Sequence, residues 1–535
     1  MPVGYLSLIL HAHLPFVRHP EHPEFLEEDW LYEAITEVYL PLIFIFQNLH
    51  EAGASPRLAM NISPPLCEML SDSLLQERYN RHLENLYELS QKELLRAGKE
   101  SPEFLPAIRM YIEIFEAALR LWNDIYKRNL ITAFRQLQEE GVLEIITCGA
   151  THGFLPLMST TEAKRAQIQV AVKNYEKHFG RKPRGIWLPE CAYEEGLEEL
   201  LEEVGLEYFV SDTHAILYGT PRPRYGVHAP VRCPNGVATF ARDVETSQQV
   251  WSAEVGYPGD PVYREFYRDI GWELPIEYLK PHLHADGNRR HLGLKYYRIT
   301  GRTEKKEPYI PWLAREKAAE HAGHFLVERI RQSYSLRELY KGHAPLIVSP
   351  YDAELYGHWW FEGPQFLDFL FRKLHYDQDE IKAITPGDYL DSGIPIQVQQ
   401  PAASSWGERG YYKVWLNEET AWMYPYQHDA ERKMTELANR FDFPDKTQRR
   451  ILNQMARELL LAQSSDWAFQ IYQGTTVEYA SRRFRSHIHR FNLLANYLEK
   501  NEINERVLSE IEARDNIFQE IDYRVYRSIK KKSED

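Results

Sequence analysis

Seven short, unbroken apolar runs constrain this chain more than any other feature. They span Tyr5–Leu10, Arg57–Ile62, Leu143–Thr147, Arg184–Leu188, Glu207–Val210, Gly236–Phe240 and Pro345–Ser349. Continuous rather than alternating hydrophobicity marks strands covered on both faces, as in parallel sheets under helices. The residues just beyond the runs are the second half of the signal. His11 and His13 follow the first, Ser63 the second, and Cys148 and His152 the third. Glu190 follows the fourth, Asp212 and His214 the fifth, Arg242 and Asp243 the sixth, Asp352 and Glu354 the seventh. Parallel α/β barrels keep their chemistry at the carboxyl ends of their strands. The pattern predicts one barrel-like α/β domain with a polar cleft at one face.

Within the series, Gly185–Ala192 is the sharpest segment. Pro189 ends the ladder because it has no N–H to donate, and the next residue is the carboxylate Glu190. A helical pattern then runs through Leu197, Leu200, Leu201 and Val204. A lone strand-end glutamate serves more often as a helix-start charge than as a nucleophile. Its recurrence beside other strand-end acids and histidines is what points to a site.

At 535 residues the chain exceeds one ordinary core. The spacing predicts a discontinuous barrel over 1–71 and 128–414, an inserted helical part over 72–127, and a helical part over 415–535. The insert has Leu83, Leu86 and Leu89, then Phe115 and Leu119, near helical spacing. The last part carries apolar stripes over Glu431–Leu437, Arg449–Leu461, Ser486–Leu498 and Val507–Ile517. The long stretch Val244–His343, rich in aromatics, glycine and proline, is expected to hold small elements of its own.

Composition excludes several classes. A formal net charge of −15 argues against nucleic acid, so no nucleic-acid partner is expected, and Lys530–Lys532 reads as a short solvated end. Four widely spaced cysteines without a CxxC pattern read as reduced thiols of a cytoplasmic protein. No basic-then-apolar leader and no membrane-length apolar stretch is read, so no membrane partner is expected. Aromatics make up 13% of the chain, and Trp30, Trp272, Trp360, Trp406 and Trp415 fall in loops or beside motifs. Such rings suit stacking on sugar faces, although packing accounts for most aromatic residues. Arg242 reads as orienting a carboxylate or hydroxyl, with an ordinary salt bridge to Asp243 as the alternative.

His11 and His13 leave two chemistries open. Alternate residues of a strand point the same way, so a His-x-His at a strand end can hold a metal, with His152 and His214 following in barrel order. The same imidazoles can instead hydrogen-bond a sugar.

Several motifs, in order, resemble those of glycoside hydrolase family 57. They are His11–Pro15, Thr151–Gly153, Trp187–Cys191, Phe240–Asp243, Gly256–Asp260, Ser349–Trp360 and Ser464–Trp467. The resemblance covers nearly the whole chain and is nearest to the branching-enzyme group, which includes some α-amylases. It implies an incomplete (β/α)7 barrel with an inserted helical domain and a C-terminal helical domain. It also implies a retaining enzyme of α-1,4-glucans that uses no metal and no cofactor. Carried over motif by motif, Glu190 becomes the nucleophile and Asp352 the general acid/base, with Glu354 as competitor. His11, His13 and His152 become sugar-hydroxyl ligands, and Asp466 a substrate-binding residue. The expected activity is 1,4-alpha-glucan branching, with hydrolysis of the same α-glucan as the alternative. Branching members carry a loop with a tyrosine at its tip, whereas Ile216–Gly226 is short for that role.

Overall fold

In the computed structural model, which describes residues 2–54, 56–252 and 256–529, each apolar run contains a strand. These are β1 (Gly4–Ala12), β2 (Leu58–Ile62), β3 (Leu143–Ile146) and β4 (Gly185–Trp187). They continue as β5 (Tyr208–Ser211), β6 (Ala238–Ala241) and β7 (Leu346–Asp352). The basic run Lys530–Lys532 lies outside the described residues.

Parallel ladders join β7 to β1, β1 to β2, β2 to β3, β4 to β5 and β5 to β6. A parallel bridge between Thr147 and Ile186 joins β3 to β4. Among the described residues no ladder joins β6 to β7; the seam is spanned where the Asp243 N–H donates to the Val348 carbonyl at 2.9 Å. The result is an incomplete seven-stranded barrel. Three short strands had no signal in the apolar pattern. Val231–Arg232 runs antiparallel to β6, Gln397–Val398 pairs with it, and Ile381–Ala383 pairs with the start of β1.

Strand alternation decides which side chains line the barrel. Ile9, Ala59, Ile146, Trp187, Val210, Phe240 and Val348 form one buried cluster inside it. Leu8, Leu10, Met60 and Ile62 belong to the larger core under the surrounding helices. Two residues beyond Ile9, Ala59 and Ile146 stand His11, Asn61 and Cys148, and four beyond Val348 stands Asp352. Each therefore continues an interior column as it reaches the open end.

Two long helices, α1 (Ser73–Glu100) and α2 (Leu105–Arg120), lie between β2 and β3 in sequence. Asp72 caps α1 by accepting the Leu75 N–H. Between β6 and β7 the chain holds short helical turns and then α3 (Pro311–Leu339). Beyond β7 come the helices α4 (Met423–Arg440), α5 (Lys446–Ala462), α6 (Ser465–Gln473), α7 (Val477–Lys500) and α8 (Glu505–Arg514). The stripe read to Ile517 thus ends earlier, at Arg514. Antiparallel bridging of Gly153 to Ser464 ties this helical region to the loop after β3. No helix among the described residues is long and apolar enough to cross a membrane.

Candidate active site

Glu190 sits in a single 3-10 turn, Pro189–Cys191, where β4 ends. Its φ is 60°, that of Cys191 is 50°, and that of His152 is 57°. Left-handed backbone at non-glycine residues costs on the order of 1–3 kcal/mol each and persists only where the surroundings enforce it. Here three donors from distant segments enforce it. Ser465 Oγ donates to Glu190 Oε1 at 2.7 Å, Trp406 Nε1 to Oε2 at 2.8 Å, and Trp415 Nε1 to Oε1 at 3.2 Å. Burial raises the Glu190 pKa to about 6, against the opposing pull of the Ser465 and Trp406 hydrogen bonds.

Asp352 ends β7 and stands opposite His11 in the ladder with β1. No donor among the described residues reaches its carboxyl. Burial first, then the charges of Glu354 and Glu190, hold its pKa well above the carboxylate range, while Arg242 opposes them. Glu354 Oε1 accepts from the Tyr39 hydroxyl at 2.5 Å and the His13 N–H at 3.2 Å. Burial brings its pKa to about 7 in spite of the Tyr39 bond. The two barrel carboxyls therefore differ in kind: Glu190 is braced by donors, and Asp352 has none.

The histidines form a hydrogen-bonded file. His11 Nδ1 is 2.6 Å from Asn61 Oδ1, His11 Nε2 is 2.9 Å from His152 Nε2, and His152 Nδ1 is 2.8 Å from Ser465 Oγ. Asn61 Nδ2 donates to the Ile146 carbonyl at 3.3 Å, which turns Oδ1 toward His11 and places a proton on His11 Nδ1. Asn61, His11, His152, Ser465 and Glu190 thus share four links, each requiring one proton. Neutral His11, neutral His152 and the Ser465 hydroxyl bring three. The fourth is present when Glu190 is protonated. The same four protons, moved one place along, leave a Glu190 carboxylate beside a His152 imidazolium, with Nδ1 and Oε1 3.7 Å apart. Burial opposes charge on both rings and lowers their pKa values well below the imidazole range. Burial therefore favours the arrangement with both rings neutral, and Glu190 ionises as its proton leaves the file rather than by charging His152.

His13 lies against the same group, its ring stacked on His152 at 3.9 Å. Its Nδ1 is 2.9 Å from Ser63 Oγ and its Nε2 3.0 Å from Asp466 Oδ2. Burial pushes the Asp466 carboxyl up, but His13, His152 and Ser464 prevail and hold it at about 2. His13, His152 and Asp466 are close enough to hold a metal ion, as are His11, Cys148 and His152. Every ring nitrogen of the three histidines, however, is already engaged by Asn61, Ser63, Ser465, Asp466 or a second imidazole. That arrangement fits a hydrogen-bonding wall better than a ligand set.

Other expected residues divide. Arg242 pairs with Asp212 at 2.7 Å, and Asp243 instead caps a helix and meets His228. Trp406 stands edge-on to Trp187 at 5.2 Å and to half-exposed Trp251 at 6.2 Å. Trp30 packs edge-on to Tyr479, and Trp272, 52% exposed, lies edge-on to His291. Two sugar-stacking expectations are corrected. Trp360 is 1% exposed, enclosed by Tyr257, Tyr263 and Phe366. Trp415 is also 1% exposed, and its indole serves Glu190. Neither has a free face.

Sequence reasoning passed over Asn61, Ser465 and Tyr39. Asn61 and Ser465 carried a signal, since one is the polar residue next to the end of a strand and the other lies inside the Ser464–Trp467 motif. Tyr39, at the end of the π-helical turn Ile35–Tyr39, carried none.

The family model described as glycosyl hydrolase family 57 matches residues 7–346, and that described as 1,4-alpha-glucan branching enzyme, C-terminal, matches residues 426–526. A 1,4-alpha-glucan branching enzyme of Thermococcus kodakarensis is 37% identical, over 97% of this chain and 78% of its own. Among solved structures, the alpha-amylase AmyC of Thermotoga maritima is 45% identical with a TM-score of 0.93, covering 99% of this chain and 100% of that one. A GH57-type branching enzyme of Pyrococcus horikoshii is 37% identical with a TM-score of 0.87, covering 99% and 97%.

Proposed function

The chain belongs to glycosyl hydrolase family 57, and on that premise we propose that it is a retaining 1,4-alpha-glucan branching enzyme acting by double displacement. Glu190 attacks the anomeric carbon of an α-1,4-linked glucose while Asp352 delivers its proton to the departing 4-oxygen. The glycosyl–Glu190 ester then forms. Asp352, now a carboxylate, takes the proton from the 6-hydroxyl of a second glucan, whose oxygen displaces Glu190 and leaves an α-1,6 branch. Retaining chemistry assigns one carboxyl to attack and the other to proton transfer. The contrast between a Glu190 braced by three donors and an Asp352 with none is the observation that carries this assignment.

His11, His13, His152, Arg242 and Asp466 would line the subsite around the cleaved bond, and Trp406, Trp30 and Trp272 would offer rings to the glucan. The three-part division is included in the proposal: catalysis in 1–71 with 128–414, a helical insert over 72–127, and a helical part over 415–535 that supplies Ser465 and Asp466. Four free, buried cysteines support a place in the cytoplasm.

Hydrolysis is the second reading, favoured by the likeness to AmyC and by the tyrosines near the expected loop. Tyr218 is exposed, but Tyr225 stacks on His343 at 3.9 Å and Tyr257 is buried against His324. The two outcomes differ only in whether water or a glucan hydroxyl resolves the ester. Incubating amylose with the protein and debranching the product separates them. New α-1,6 linkages mean transfer; reducing ends that rise without them would overturn branching.

A further inference from the structure

A cavity of about 510 Å³, whose lining includes neither Glu190 nor Asp352, lies between the inserted helices and the outer helices of the barrel. That volume is within the roughly 300–1,000 Å³ of small-molecule sites. Its walls combine Phe44, Phe361 and Phe369 with Glu33, Asn48 and Gln365. Phe44 is 41% exposed, so part of its aromatic carbon is open. Arg264 covers the Phe361 ring and Arg315 approaches that of Phe369.

One acceptor in the lining, Glu33, is open and unfilled, and a second, Gln365 Oε1, lies unfilled behind the wall. Gln365 Oε1 is buried with no hydrogen-bond partner among the described residues. Glu33 has no hydrogen bond among them either; its ion-pair partner, His358 Nε2, is 3.8 Å away. Burial raises the Glu33 pKa, so a neutral hydroxyl donor is a better match for it than further negative charge. Of the two arginines in the lining, Arg372 is paired with Asp368 at 3.0 Å and Arg315 approaches the Phe369 ring. Exposed aromatic carbon beside an unpartnered acceptor matches a pyranose, which has a C–H face and a rim of hydroxyl donors.

We propose that this cavity is a second, non-catalytic site that holds a short stretch of α-1,4-glucan. The inference rests on the α-glucan reading above and adds a holding site for a chain that is not being cleaved. A polymer-modifying enzyme gains from such a site because a second contact raises the effective concentration of the chain at the first.

The test is equilibrium binding of maltotetraose to the Glu190→Gln chain, which binds without turnover. Besides the donor and acceptor positions of the catalytic cleft, one further site is expected. Adding Phe44→Ala or Glu33→Ala should weaken that site alone by about tenfold or more, and adding Trp406→Ala should weaken cleft binding and leave the further site unchanged. Phe44→Ala removes a half-exposed ring, so its fold is checked by an unchanged melting temperature. Maltotetraose binding with no component that either cavity variant weakens would overturn the proposal. If the unsubstituted chain fails to act on amylose while both sites still bind, the catalytic reading falls and the cavity reading stands.

Discussion

At the scale of single residues, Glu190 works only as a carboxylate and Asp352 starts the cycle only as an acid. Glu190, raised to about 6, is ionised above that value and loses attacking power as pH falls through it. Asp352, held well above the carboxylate range, loses its acid function as pH rises. A bell-shaped profile of kcat/KM with its acid limb near pH 6 is expected. Ser465→Ala and Trp406→Phe each remove a donor that favours the Glu190 carboxylate. A hydrogen bond to a charged group is worth about 1.5–3 kcal/mol, so each substitution should move that limb up by roughly one to two pH units. An unmoved limb in both would remove Glu190 as the titrating group. Glu190→Gln should abolish transfer and hydrolysis alike with the fold intact. Asp352→Asn should slow natural glucans by about 10²–10⁴-fold but spare substrates with activated leaving groups. Equal loss on both substrate types would deny it the acid role.

At the scale of elements, the site depends on turns that hold side chains where regular strands would not. The π-helical turn Ile35–Tyr39 sends Tyr39 to Glu354, while its Glu37 receives His358 Nδ1 at 2.6 Å. The chain crosses that turn at Gly357, where φ is +122° and a Cβ would fall 2.0 Å from the Glu37 carbonyl oxygen. Only glycine fits such a backbone approach. Gly357→Ala should therefore destabilise the protein by about 2–6 kcal/mol, from strain and overpacking together, measured by denaturant unfolding. A variant as stable as the parent would mean that the turn relaxes freely.

At the scale of the whole molecule, the barrel does not complete its own site. Ser465 and Asp466 at the start of α6 meet Glu190, His152 and His13, residues roughly 275 to 453 positions away in sequence. Separating these parts would leave the left-handed Glu190 backbone with fewer restraints and His13 without its carboxylate. A further expectation follows from the engaged imidazoles. Prolonged treatment with a chelator, followed by dialysis, should leave activity on amylose unchanged, whereas a loss restored by zinc would revive the metal reading of His11 and His13.

The barrel was legible because strands buried on both faces need continuous apolar runs, and a strand that ends in a cleft needs a polar residue there. Glu190, Asp352 and the histidines stand out along one dimension for that reason. Val231–Arg232 and Gln397–Val398 were not legible, since two-residue pairings leave no apolar run to read. Trp360 and Trp415 look like Trp406 in the chain, each a tryptophan beside a motif. Which ring faces solvent, which fills a core and which donates to Glu190 depends on neighbours that only folding brings near. Strand chemistry is local and is written in consecutive residues. Burial and hydrogen-bond partnership are set by contacts between distant segments, so the proton file, the corrected tryptophans and the cavity at Glu33 emerged from the fold.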